Sequence, residues 1–328
     1  MTDTNQRAAG TTPAGDTVEA TPEITDVAEL AERVIENVET VILGKRSAIE
    51  HTVVAILGRG HILLEDVPGT GKTMLARAIA KSFDGSFKRV QFTPDLLPSD
   101  ITGINVYNQH TETFEFQRGP IFANVVLGDE INRAPPKTQS ALLEGMEEEQ
   151  VTVDGTTRKL PDPFIVIATR NTVEPSRTYE LPIAEVDRFM KQLVLGYPDD
   201  AEPEMLARVV ENHPIETVGP VATVEELRAA RSQVAGVTVR EPVREYATDL
   251  VRFTRRNAHL GVSPRGTIAL VRAAQARAAI AGREYVIPDD IQQEAPLVLS
   301  HRVHLEGDPD GSGRRELVDT ALDSVAIP

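Results

Sequence analysis

The chain has 328 residues, 41% of them hydrophobic and only 4% aromatic, with no Trp and no Cys. That length admits more than one domain around an aliphatic core, and the lack of Cys excludes a disulfide framework, a thiolate metal site and a cysteine nucleophile. A formal charge of −16 repels phosphate backbones and argues against a general nucleic-acid binder.

No apolar run approaches the length of a bilayer span and no secretory signal is visible, so the expectation is a cytoplasmic chain without membrane insertion. Arg outnumbers Lys, which fits either a salt-loaded cytoplasm or a GC-rich genome; composition leaves both open.

Residues 1–22 are rich in Thr, Ala, Gly and Asp and lack an apolar period, which predicts a disordered tail. Helical spacing then begins with Val27, Leu30, Val34, Ile35 and Val38, and a second apolar helix spans Ile49 to Leu57. His61 to Glu65 reads as a short buried strand, followed by further core strands at Phe87–Phe92, Asn124–Leu127 and Phe164–Ala168. Helices are predicted between them at Thr73–Ser82 and Thr138–Glu148. Such alternation implies a parallel sheet covered on both faces. Two hairpins interrupt this plan: Ile104–Tyr107 with Thr113–Gln117, and Gln150–Val153 with Thr156–Leu160 around Asp154-Gly155.

Beyond Pro198 the pattern is helical, with predicted helices at Ala201–Glu211, Val224–Val234, Glu241–Arg256, Pro264–Ala281, Pro288–Ser300 and Glu316–Ser324. Pro203, Pro242, Pro264 and Pro288 suit early helical positions. The expected architecture is an α/β core over residues 23–198, with inserted hairpins, and a small all-α domain over 199–328. Ile268, Val271 and Ala279 are expected in the helical core, and His301 and His304 at its surface or a helix cap.

Asp66-Val-Pro-Gly-Thr-Gly-Lys-Thr73, between a strand and a helix, has the chemistry of a phosphate loop. Main-chain N–H groups around Gly69, Thr70 and Gly71 would form a nest for phosphate oxygens, with Val67, Pro68 and Met74 completing the binding loop. Lys72 supplies a point charge for the β- and γ-phosphates, and the Thr73 hydroxyl can ligate Mg²⁺. Asp66 stands where the usual pattern has its first Gly. Val125-Val-Leu-Gly-Asp129-Glu130 ends a buried strand in two acids, at the edge where parallel sheets bind ligands. Asp129 would hold Mg²⁺ and Glu130 would act as general base on water. Together these imply ATP and Mg²⁺ as ligands.

Asp129-Glu-Ile-Asn-Arg-Ala-Pro-Pro-Lys-Thr-Gln-Ser-Ala-Leu-Leu-Glu-Gly-Met146, with Gly119–Asn124, Ile167–Asn171, Asp187-Arg-Phe189 and Ser263-Pro-Arg265, resembles the MoxR family of AAA+ ATPases. The resemblance spans about Asp26 to His301 and implies a P-loop AAA+ core with a helical lid. It assigns Asn171 to sensor 1, Arg188 to an arginine finger acting on a neighbouring subunit, and Arg265 to sensor 2. It places Val41–Gly44 against adenine, with Arg133 and Lys137 available at a subunit boundary. Arg170 stands where the family has Gln, and Glu180 and Ile183 depart from its pattern before Arg188.

An arginine lent by the next subunit requires a closed head-to-tail ring. The resemblance implies a hexamer that remodels or matures protein clients, with a von Willebrand A domain protein as a possible partner. Two rivals stay open. A nucleic-acid translocase would need basic hairpins; the first hairpin carries no Lys or Arg, and the second has Arg158 and Lys159. A nucleotide-gated interaction module would bind ATP without turning it over.

Overall fold

The computed structural model describes residues 24–66, 69–171, 178–197, 214–308 and 311–328. The tail, the helix expected at Ala201–Glu211 and the domain boundary near residue 198 lie outside them. The strands are β1 (Ile62–Asp66), β2 (Phe87–Gln91), β3 (Gly103–Asn108), β4 (Thr113–Arg118), β5 (Val125–Asp129), β6 (Gln150–Val153), β7 (Thr156–Lys159), β8 (Ile165–Asn171) and β9 (Lys191–Leu193). Among the described residues the main sheet has the order β2-β5-β8-β1-β9, all neighbours parallel, with β3-β4 and β6-β7 as separate antiparallel pairs.

The central strands β1, β5 and β8 are near-continuous hydrophobic runs because each faces two cores. Ile62, Leu64, Val125, Leu127, Ile165 and Ile167 belong to one buried cluster, and Leu63, Val126, Val166 and Ala168 to the other. This is the two-residue period of a strand with both faces covered. The first cluster takes in α1 (Ile24–Glu39), α2 (Arg46–Leu57) and α3 (Lys72–Ser82). It runs on without a break into the helical domain. The second packs the opposite face against α5 (Pro136–Glu148) and the β6-β7 hairpin.

Between β2 and β3 lies a five-residue helix, α4 (Pro98–Thr102), and before β9 a short α6 (Ile183–Val186). The helical domain comprises α7 (Val224–Gly236), α8 (Glu241–Asn257), α9 (Pro264–Ile280), α10 (Pro288–Leu299) and α11 (Ser312–Ser324). Its helices start where side-chain chemistry predicts. Thr223 accepts from Glu226 N at 3.1 Å while its own N–H donates to Glu226 at 2.6 Å, a reciprocal cap. Ser263 caps α9 by accepting from Gly266 N at 3.2 Å.

Both hairpins form as expected. The second turns at Asp154 (φ 49°) and Gly155 (φ 75°), the paired positive dihedrals of a type I′ turn. The two are tied together: the Arg158 guanidinium lies 3.9 Å from the Phe116 ring centre, and Asn105 Nδ2 donates to Asp154 Oδ2 at 2.8 Å.

Three expectations are corrected. Ile268 is 54% exposed, although Ala279 is buried and Val271 packs against the core. His301 is buried, with Nε2 3.1 Å from Phe189 O, because a 3-10 turn at Ser300–Arg302 folds it under the core. The last helix starts at Ser312 rather than Glu316.

A buried charge cluster joins core to helical domain. Lys191 Nζ lies 2.5 Å from Glu294, both fully buried, and Arg277 Nε donates to Glu294 at 2.9 Å. Burial lowers the Lys191 pKa and opposes ionisation of Glu294. Lys191, His51 and Arg277 outweigh that burial and hold the Glu294 carboxyl well below the usual range.

Candidate functional site

The carboxyl ends of β1, β5 and β8 lie level, with Asp66 paired to Asn171 and Gly128 to Ala168. This edge gathers most of the residues the sequence singles out. After β1 the chain passes through Gly69 (φ 86°) and Gly71 (φ 91°), and Gly71 caps α3 at Lys72. These left-handed positions suit Gly and lead the loop directly into the helix N-terminus, the kind of place where main-chain N–H groups meet anions. Val67 and Pro68 lie outside the described residues, and Asp66 and Asn171 are placed by their backbone alone. Ile42, in the Val41–Gly44 segment, lies over the loop: a Cβ at Gly71 would be 3.8 Å from its Cδ1. Met74 packs its partly buried side chain on the first core.

Asp129 is 7% exposed, and each of its oxygens is engaged. Oδ1 accepts from Thr169 Oγ1 at 2.6 Å. Oδ2 accepts from Arg89 Nε at 3.1 Å and Arg89 NH2 at 2.6 Å, and faces the Thr73 hydroxyl at 3.5 Å. Glu130 follows in the left-handed region (φ 55°, ψ 49°), a conformation costing a non-Gly residue roughly 1–2 kcal/mol. Its N–H donates to Thr169 Oγ1 at 2.8 Å, and its Oε2 accepts from Gln91 Nε2 at 2.8 Å and Arg133 NH1 at 3.0 Å. Thr169 thereby holds both acids, donating to one residue and accepting from the next. Gln139 Nε2 donates to Ile131 O at 3.2 Å and Ala134 O at 3.0 Å and pins the following turn.

Oxygen donors at Thr73 and Asp129 suit a hard cation such as Mg²⁺, which keeps few protein ligands and completes its shell with water and phosphate oxygens. Among the described residues no three His, Cys, Asp or Glu side chains gather as a metal cage.

Arg188 and Arg265 are placed elsewhere. Both reach Glu147 near the end of α5, Arg188 Nε at 3.4 Å from Oε2 and Arg265 through NH2 to Oε1. His61 Nε2 lies 3.1 Å from Met146 O, and Met190 N donates to His61 O at 2.8 Å. The pair therefore sits where β1 and β9 begin, at the opposite edge of the sheet from Asp129. Asp187 locks it in place: Ser263 Oγ donates to Oδ2 and Arg302 Nε to Oδ1, each at 2.8 Å, while Arg302 NH2 donates to Phe189 O at 2.6 Å. Burial lowers the Arg302 pKa to about 10, offset by Asp187. Arg170, beside Asn171, pairs with Glu65 at 2.6 Å.

Thr169, Arg89 and Gln91 escape sequence reasoning. Thr169 lies within the Ile167–Asn171 stretch without a role of its own there, and the signal for the other two is the strand period: residues 89 and 91 share a face of β2, and Gln91 is in register with Asp129.

Residues 61–191 match the family model of the ATPase family associated with various cellular activities (AAA), and residues 253–322 match the AAA lid domain. Chaperone MoxR1 of Mycobacterium tuberculosis is 38% identical over 311 residues, covering 90% of this chain and 82% of its own length. This chain belongs to the MoxR family of AAA+ ATPases. The uncharacterized protein YeaC of Bacillus subtilis is 49% identical over 308 residues, or 92% of this chain and 96% of that one. The MoxR fold is shared with the crystal structure of a candidate ATPase from Cytophaga hutchinsonii: TM-score 0.86, 39% identity, 93% of this chain and 97% of that chain. No helix among the described residues is long and apolar enough to cross a membrane.

Proposed function

We propose that the chain binds ATP with Mg²⁺ and hydrolyses it within a head-to-tail ring, using the energy to remodel protein clients. One observation carries this reading. A single threonine, Thr169, holds the paired acids Asp129 and Glu130 at the phosphate-loop edge of the sheet, while two arginines stand ready at the other edge.

In this reading the loop from Asp66 to Met74 binds the triphosphate through main-chain N–H groups, with Lys72 on the β- and γ-phosphates. Thr73 and Asp129 would hold Mg²⁺, which supplies charge neutralisation of the phosphate oxygens when bound. Glu130 accepts a proton from water as that water's oxygen bonds to the γ-phosphorus. The bond from the γ-phosphorus to the β–γ bridging oxygen breaks, leaving ADP and inorganic phosphate. Asn171 orients the same water. Arg188 and Arg265 lie a full strand away from their own loop, so they serve the phosphates of a neighbouring subunit, where developing charge on oxygen is stabilised by guanidinium.

A ring follows from that division, and the MoxR family resemblance makes it a hexamer. The name Chaperone MoxR1 supports a remodelling role on protein clients; a von Willebrand A domain partner and the cytoplasm as compartment belong to the same proposal, carried by the family resemblance and the composition. Nucleic acid is disfavoured because Arg158, one of the second hairpin's two cations, is stacked on Phe116.

The test is phosphate release and nucleotide binding by wild type, Lys72→Ala and Glu130→Gln. Binding lost in the first and turnover lost with binding kept in the second are expected. Nucleotide affinity unchanged in Lys72→Ala would overturn the reading; equal, near-zero turnover in wild type and Glu130→Gln would favour the module without turnover.

A further inference from the structure

Arg89 has no part in the chemistry above, yet it makes the shortest contact to Asp129 Oδ2. It projects from β2, its side chain 49% exposed, and donates to that oxygen twice. The same oxygen faces Thr73, so it is the one a cation held by Thr73 and Asp129 would use. A guanidinium and a divalent cation cannot both sit on one carboxylate oxygen without like-charge repulsion at contact distance.

The arginine is also wired to the second acid. Arg89 NH2 donates to Gln91 Oε1 at 2.6 Å. With its oxygen taken, the Gln91 amide turns its nitrogen to Glu130 Oε2 at 2.8 Å. Asp129, Arg89, Gln91 and Glu130 form one continuous chain of hydrogen bonds. Residues 89 and 91 reach these acids because they share the face of β2 opposite buried Val90.

We infer that Arg89 is a positioning residue that competes with Mg²⁺ for Asp129 and, through Gln91, links cation arrival to the hold on Glu130. Cation binding displaces Arg89, Gln91 loses the partner that oriented its amide, and of the two donors on Glu130 Oε2 only Arg133 keeps its place. The inference rests on the reading of Asp129 as a cation ligand. It differs in sign from a simple propping role: a prop, once removed, weakens the cation, whereas a competitor, once removed, strengthens it.

The experiment follows N-methylanthraniloyl-ADP fluorescence on the full chain, first in EDTA and then along a Mg²⁺ titration. In Arg89→Met the half-saturating Mg²⁺ falls about three- to tenfold, as expected for losing a half-exposed, charge-assisted pair. In EDTA the same variant binds ADP more weakly, because Asp129 is left uncompensated beside the phosphates. Arg89→Lys, which keeps the charge and loses the fork, falls between the two. Gln91→Met shifts the midpoint the same way by a smaller factor, and the double variant matches Arg89→Met alone, since both act on one hold. An Arg89→Met midpoint that is unchanged or raised overturns the competition, and additive shifts in the double variant overturn the relay. If wild type binds the probe with a clear Mg²⁺ midpoint, either failure belongs to this inference alone. If wild type binds none at any Mg²⁺, the nucleotide site itself is wrong and the inference falls with it.

Discussion

Arg188→Ala separates a shared active site from a self-contained one by magnitude alone. Arg188 lies beyond the start of β1, and the phosphate loop follows its end, so the five residues of β1 separate them by about 13 Å at strand rise. Across that distance in water-like surroundings a unit charge contributes only about 0.3 kcal/mol, and salt screens it further. A self-contained site would therefore lose less than about twofold in turnover. A guanidinium placed on the phosphates by a neighbour is worth far more, on the order of 10²–10³-fold.

The decisive assay is complementation. Lys72→Ala and Arg188→Ala subunits, each inactive alone, are co-expressed in equal amounts with different tags and purified through both. Roughly one contact in four then joins an intact loop to an intact arginine, so about a quarter of wild-type turnover returns. Near-normal turnover in Arg188→Ala, or no recovery in doubly tagged mixed rings, refutes the head-to-tail argument. Arg265→Ala, which shares Glu147 with Arg188, gives the same complementation pattern.

Other consequences are open to direct measurement. Glu294→Gln strands buried Lys191 and lowers unfolding stability by about 3–5 kcal/mol in urea, whereas Lys191→Met with Glu294→Leu recovers much of that loss. Gly71→Ala forces a side chain onto φ 91°, costing roughly 1–2 kcal/mol by thermal denaturation and a larger loss in nucleotide affinity. Burial lowers the His61 pKa to about 4, so the folded state resists protonation that the unfolded chain accepts. Its contribution is complete above about pH 6.5 and is lost as pH falls toward 4, by about 1.4 kcal/mol per unit. His61→Gln, whose amide can still meet Met146 O and Val166 N, flattens that part of the pH–stability curve.

The strands at Val125 and Ile165 were legible because burial on both faces leaves no polar alternation to confuse them. The Asp154-Gly155 turn announced itself because few residues accept two consecutive positive φ values. β9 was not legible: it has three residues, two of them Lys and Gln, and Lys191 is buried only because Glu294 arrives from another domain. The phosphate loop and the two acids could be read from local chemistry. The contacts of Thr169, Arg89 and Gln91 could not, because they arise from strand register between distant segments. His301 looked like a surface group since sequence spacing says nothing of the 3-10 turn that tucks it beneath Phe189.

The bridge between the two hairpins has a mechanical corollary. One hairpin is rooted after β2, on the side of Gln91 and Asp129, and the other directly follows Glu147, the anchor of the two arginines. Because Phe116 is clamped by Arg158 and Asn105 by Asp154, a load on either tip is split between both roots. A pull felt outside the sheet thus arrives at its two opposite rims together, joining the paired acids at one to the two arginines at the other.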